Sequence, residues 1–81
     1  MFPANVYVIR LAGDADEDAL RALAEMDSAA PLEHPILLGE IDGRPAAAID
    51  LDTHRTVADP FKPTGGIARL VAMRAEQLRA A

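Results

Sequence analysis

The side chains best suited to chemistry in this 81-residue chain are few and scattered. Asp50, Asp52 and His54 alternate along one segment, and two carboxylates with an imidazole on one strand face make a legitimate metal set. They flank a turn, however, and with no second cluster to complete the coordination a solvated strand end accounts for them, so no metal is assigned. His34 precedes Pro35 in a loop, with no carboxylate or nucleophile near it in sequence. Tyr7 is the only tyrosine, and a phenol can serve as a general acid. It lies in a strand-like segment far along the chain from the glycines described below, where a packed aromatic is the expected role. Asp14, Asp16, Glu17 and Asp18 form an acidic knot that helix capping and dipole complementarity already explain. No catalytic residue is assigned. Gly65-Gly66, just after Pro63-Thr64, is the remaining signal: paired glycines at a helix start suit the close approach of a phosphate, and equally a loop-to-helix junction capped by Thr64.

The elements that must position these groups follow from residue type and period. Asn5 to Leu11 is rich in β-branched and aromatic residues and ends at Ala12-Gly13, which predicts a strand. Asp14 with Glu17 three residues on has the form of a capping box. Ala19, Leu20, Leu23 and Met26 recur at helical spacing to about Ser28, and Pro31 prevents continuation. Ile36–Ile41 and Ala46–Leu51 flank Asp42-Gly43, a hairpin signal. Thr56–Ala58 forms a short fourth strand, and a helix begins at Gly65 and runs to the chain end, with Ile67, Leu70, Val71 and Leu78 on one side and Arg79 in the last turn. The expected fold is a single α+β domain over residues 1–81, a mainly antiparallel sheet of three or four strands with two helices, in the order β-α-β-β-(β)-α. Val6 to Ile9 and Ile36 to Leu38 are apolar at successive positions, so both sheet faces need cover. Whether each helix covers one face, or both cover one and leave the other to a partner, is left open.

This order resembles the N-terminal portion of the GNAT-type N-acetyltransferases. The likeness lies in a strand ending Val8-Ile9-Arg10, an acidic-capped helix, a Leu38-Gly39-Glu40-Ile41-Asp42-Gly43-Arg44-Pro45 hairpin and a short strand entering a glycine-containing helix start. Val57 to Leu70 is similar to the strand, loop and helix that hold the acetyl-CoA pyrophosphate in that family, which implies a cofactor role for Gly65, Gly66, Ile67 and Ala68. The family's loop has Arg or Gln where this chain has Pro63, which carries neither charge nor N–H, and Lys62 is one residue out of register. The resemblance also implies a fifth strand and a further helix that would lie beyond these 81 residues. It thus suggests a half domain with a degenerate loop, needing no cofactor unless another chain completes an acetyl-CoA site.

Composition narrows the partners. The net charge is -5, which repels nucleic-acid backbones unless a basic stripe intervenes, and no such stripe is visible. There is no cysteine, hence no disulfide or thiolate zinc site. No apolar run approaches the ~18 residues of a membrane span, and Met1 to Ala4 lacks the pattern of a secretory signal, so a cytoplasmic protein is expected. A chain this short builds one small core and usually leans on a partner or self-association. The last helix offers a surface for it: Arg74 falls within the apolar arc, and Leu70 and Met73 widen that arc beyond a single core contact. Leu70, Met73 and Arg74 are the expected partner contacts. The alternatives are an acyl-CoA-dependent N-acetyltransferase completed by another chain, and a regulatory module binding a nucleotide-like ligand at Gly65-Gly66.

Overall fold

The computed structural model describes residues 6–80. Strand β1 (Tyr7–Leu11) leads through a 3₁₀ turn (Asp14–Asp16) into helix α1 (Glu17–Met26). Strands β2 (Ile36–Ile41), β3 (Arg44–Asp50) and β4 (Thr56–Ala58) follow, and helix α2 (Gly65–Ala80) closes the order. The expected strand start at Asn5 and the last residue, Ala81, lie outside the described residues. The four strands form one antiparallel sheet in the order β1-β2-β3-β4. Asp42 and Gly43, at φ 51° and 80°, make the tight β2–β3 turn, the left-handed conformation that an Asp-Gly pair supplies at low steric cost.

Each helix covers one face. Leu20, Leu23 and Ala24 of α1 pack on Ile36, Leu38, Ala48 and Val57. Ile67, Val71 and Ala75 of α2 pack on Leu37, Ala47 and Ile49 from the opposite side. The consecutive burial of Ile36, Leu37 and Leu38 is the consequence, since alternate side chains reach different helices. Met26, expected in the α1 stripe, is exposed, and Ala24 takes the buried place.

Small residues set how closely α2 approaches. A Cβ on Gly39 would lie 2.8 Å from the Cγ1 atoms of both Ile67 and Val71, so only glycine lets the helix sit this low on β2. Pairing shifts between Gly39 and Glu40, where Gly39 faces Ala47 and Glu40 faces Pro45. The extra residue, Ala46, joins Ala47 in the α2 core, a two-against-one arrangement that a bulge produces.

The helix start differs in detail from expectation. The reach-back contact is made by Asp16, whose carboxylate accepts the Gly13 N–H at 2.8 Å, one residue earlier than an Asp14/Glu17 pair. Gly13 has no side chain to complete a box, so the carboxylate alone serves this end, aided by the 3₁₀ turn that ties Asp16 N–H to the Gly13 carbonyl.

Candidate functional site

The loop from β4 to α2 is braced from within. Asp59 is buried; its Oδ1 accepts the Phe61 N–H at 2.8 Å, and its Oδ2 lies 3.7 Å from Lys62 Nζ. Thr64 was expected to cap α2, but its hydroxyl donates to the Asp59 carbonyl at 3.4 Å. The helix is entered through a loop that folds on itself rather than through a side-chain cap.

The four residues expected to hold a cofactor separate. Gly65 and Gly66 are exposed at the first turn of α2, whereas Ile67 is fully buried against Gly39. The Ala68 N–H is already donated to the Thr64 carbonyl at 2.9 Å. Only the first amides of α2 therefore lack an intrahelical acceptor. Neither glycine is required by packing: a Cβ at Gly65 meets open space, and one at Gly66 meets Tyr7 Oη at 3.6 Å, ordinary contact. Tyr7, expected as a packed aromatic far along the chain from these glycines, is instead exposed, and its ring stands beside Gly66. The β1–β2 pairing and the seating of α2 across the sheet bring the phenol beside Gly66.

Asp50, the His54 backbone and His34 are engaged within the fold, whereas the buried His54 Nε2 has no hydrogen-bond partner among the described residues. The Asp50 carboxylate, buried at the end of β3, folds onto the following turn and accepts the N–H groups of Asp52 and Thr53 at 2.8 and 3.0 Å. Backbone N–H donation, Thr53's first, holds its pKa below the usual carboxylate value against the opposing effect of burial. The backbone of His54 turns left-handed, φ 61°, and its N–H returns to the Asp50 carbonyl at 2.8 Å. Asp50, Asp52 and His54 thus lie around a tight turn rather than along one strand face. Among the described residues there is no cluster of three histidine or acidic residues able to hold a metal. His34 does have a partner invisible in sequence, the carboxylate of Glu17 at the start of α1.

A stronger ionic cluster sits on β1. Arg10 donates to both Asp16 oxygens at 2.8 Å and through Nε to Glu40 at 3.2 Å. The guanidinium, and next the Gly13 N–H, hold the Asp16 carboxyl well below the usual range. This fork fastens β1 to the α1 start and to β2, with all of its charge turned toward its own chain.

What remains available is apolar surface and backbone. Leu70 and Met73 are exposed on the flank of α2 that carries Gly66, at 38% and 52%. Arg74 beside them donates to Gln77 at 3.2 Å. Tyr7 and Leu11, exposed at 41% and 60%, alternate with Ile9, which packs in the α2 core, so all three project from β1 to the α2 face. Arg44 and Lys62 border two open depressions of about 360 and 400 Å³. The linings of these depressions do not include Gly65 or Gly66.

Compared with protein-family models, with curated proteins and with solved structures, the chain matches none, so its function has to be argued from its own residues.

Proposed function

We propose that this chain is a small, non-catalytic, GNAT-like α+β domain that acts through protein contact, as a homodimer or as an accessory subunit of a larger assembly, in a reducing cytoplasm. One observation carries the reading: the outer strand β1 and the adjoining flank of α2 expose Tyr7, Leu11, Leu70 and Met73 on one side of the molecule. Scattered apolar residues on a surface need no explanation, but a run of them beside an open strand edge is the kind of surface that proteins cover. Several ionic groups are engaged elsewhere: Arg10 with Asp16 and Glu40, Lys62 with Asp59, and Asp50 with its own turn.

The test is size exclusion with light scattering over a wide concentration range, together with thermal melting. Association, or a chain that melts easily without its partner, is expected. A monodisperse, stable monomer at every concentration overturns the reading. Met73→Asp should weaken assembly while leaving circular dichroism unchanged.

A second reading has one observation in its favour. Tyr7 Oη beside Gly66 sets a phenol at the end of α2 whose free amides and dipole suit an anion, which is the arrangement an acyl-CoA-dependent enzyme completed by another chain would use.

A further inference from the structure

The two edges of the sheet are β1 and β4, and the register determines which backbone groups of β1 are left over. Ala12 donates to the Ile36 carbonyl and Asp42 to the Val6 carbonyl. With Arg10 facing Leu38 and Val8 facing Glu40, the even-numbered residues of β1 are those that exchange hydrogen bonds with β2. In an antiparallel ladder the alternate residues then point their N–H and C=O away from it. Those residues are Tyr7, Ile9 and Leu11. Among the described residues their outward groups meet a single partner, a long 3.5 Å contact from Arg10 Nη1 to the Leu11 carbonyl.

Resting on the contact reading above, we infer that the occupant of this edge is the β1 strand of a second copy, paired antiparallel about a two-fold axis at Ile9. Antiparallel bonding needs outward groups opposite outward groups. With three such residues at 7, 9 and 11, the arrangement that uses all of them sets Ile9 against its own copy and Tyr7 against Leu11 of the other chain. Slipping by two residues leaves one of them without a partner. The side chains agree with this register. On the α2 face, Tyr7 meets Leu11 and Ile9 meets Ile9, apolar against apolar. On the other face Arg10 meets Val8, so no like charges stand opposite each other, and each Arg10 is already neutralised by Asp16 and Glu40.

The axis runs perpendicular to the sheet and keeps both α2 helices on one face. Since α2 rests mainly on β2 and β3, strand spacings of ~4.8 Å put the two helices ~20 Å apart, against ~8–10 Å for helices in contact. Leu70 and Met73 therefore flank the joint and β1 forms it. A substitution at Met73 should weaken the dimer less than one at Tyr7.

Cysteine cross-linking tests the register directly, because the chain has no cysteine of its own. Partners in a hydrogen-bonded pair have Cα atoms about 5.5 Å apart, within the roughly 4.4–6.8 Å a disulfide spans. Ile9→Cys should form a covalent dimer on mild oxidation. Tyr7→Cys and Leu11→Cys, both at exposed positions, should each fail alone, because two copies of the same position stand ~14 Å apart. Mixed together, they should cross-link. Circular dichroism of each variant confirms the fold, and light scattering of the unaltered chain reports its mass. A dimer with no such pattern overturns the β1 pairing and leaves the contact reading standing. A monomer of marginal stability overturns the pairing and points that reading to a different protein. A stable monomer removes both.

Discussion

The two edges of this sheet are managed in opposite ways. At β4, Ala46 accepts from Asp59 and Arg55 accepts from Asp50, so by the same alternation the outward groups belong to Thr56 and Ala58. The Ala58 N–H is taken by the Asp27 carboxylate at 3.1 Å. Nearby, Arg55 donates to the carbonyls of Ala30 and Pro31 at 2.8 and 2.6 Å, pinning the α1–β2 connection beside the strand. The strand itself is only three residues long. Short length and a charged side chain on the edge are both ways in which proteins discourage stray pairing. β1 is five residues long, and its one charged side chain is turned inward to Asp16 and Glu40. The difference teaches that the chain can close an edge where it needs to. An edge left open and apolar in the same sheet is therefore a candidate for use.

The largest effect is expected at Gly39, which pairs with Ile9 next to the open edge. Gly39→Ala drives a methyl to 2.8 Å from two Cγ1 atoms. Ile67 and Val71 are β-branched and stiff in a helix, so α2 itself has to move. Overpacking of this kind costs roughly 1–3 kcal/mol, a fall in melting temperature of roughly 5–20 °C for a domain this small. An unchanged melting curve would show that α2 does not press on β2 as described.

Asp27→Ala is the next in size and attacks the closed edge. It removes the acceptor for Ala58 N–H, and a hydrogen bond to an exposed carboxylate is worth about 1 kcal/mol, or a fall of roughly 4–8 °C. It should also let β4 associate, giving species larger than a dimer at high concentration. Asp27→Asn keeps an acceptor and should do less of both. If Asp27→Ala changes stability but never association, the carboxylate holds the loop without guarding the edge.

Acid should loosen the open edge from within. The Asp16 pKa is lowered in the fold by Arg10 and by the Gly13 N–H. Its contribution to stability is therefore complete above the ordinary value near 3.8 and is lost as pH falls toward the depressed folded value. Asp50, lowered by its turn amides, acts in the same direction. In urea unfolding, Asp16→Asn should be less stable than the unaltered chain at neutral pH, and the gap should narrow as the solution is made more acid. A gap that stays constant to low pH would mean that Asp16 acts through shape and not through charge.

Much of the fold was legible because it rests on local signals. Asp42-Gly43 fixed the hairpin, the short run at Thr56 matched β4, and the doubly apolar Ile36–Leu38 demanded cover on both faces. The division of the helices between faces was not legible, because the periodicity of α1 and α2 says which side is apolar and not what it meets. The site was less legible still. Tyr7 and Gly66 are 59 positions apart, 66 − 7, and only the sheet order and the seating of α2 on it bring them together. Asp27 reads as an ordinary helix-end acid until β4 lies beside it. The alternation Tyr7-Ile9-Leu11 was present in the sequence, but its meaning depended on β1 being an edge, which is a property of topology and not of composition.

The smallest expected effect separates a contact domain from an acyl-CoA enzyme: acetyl-CoA should leave the melting temperature unchanged. A ligand at a hundred times its dissociation constant stabilises the native state by ~2.7 kcal/mol, because it binds the folded chain alone. At roughly 4–8 °C per kcal/mol that would be a rise of about 10 °C or more. Several features oppose it here. Pro63 offers neither charge nor N–H at the position where the acetyl-CoA loop of GNAT-type acetyltransferases has Arg or Gln. Lys62 is held near Asp59, the Ala68 amide is spent on Thr64, and the net charge of -5 repels the cofactor's phosphates. In favour stand only the exposed first turn of α2 and the phenol of Tyr7. A rise of that size, lost in Gly66→Glu with the fold retained and also in Tyr7→Phe, would make the neighbourhood of Tyr7 and Gly66 a cofactor site. The open edge of β1 would then be the place where the rest of an enzyme attaches.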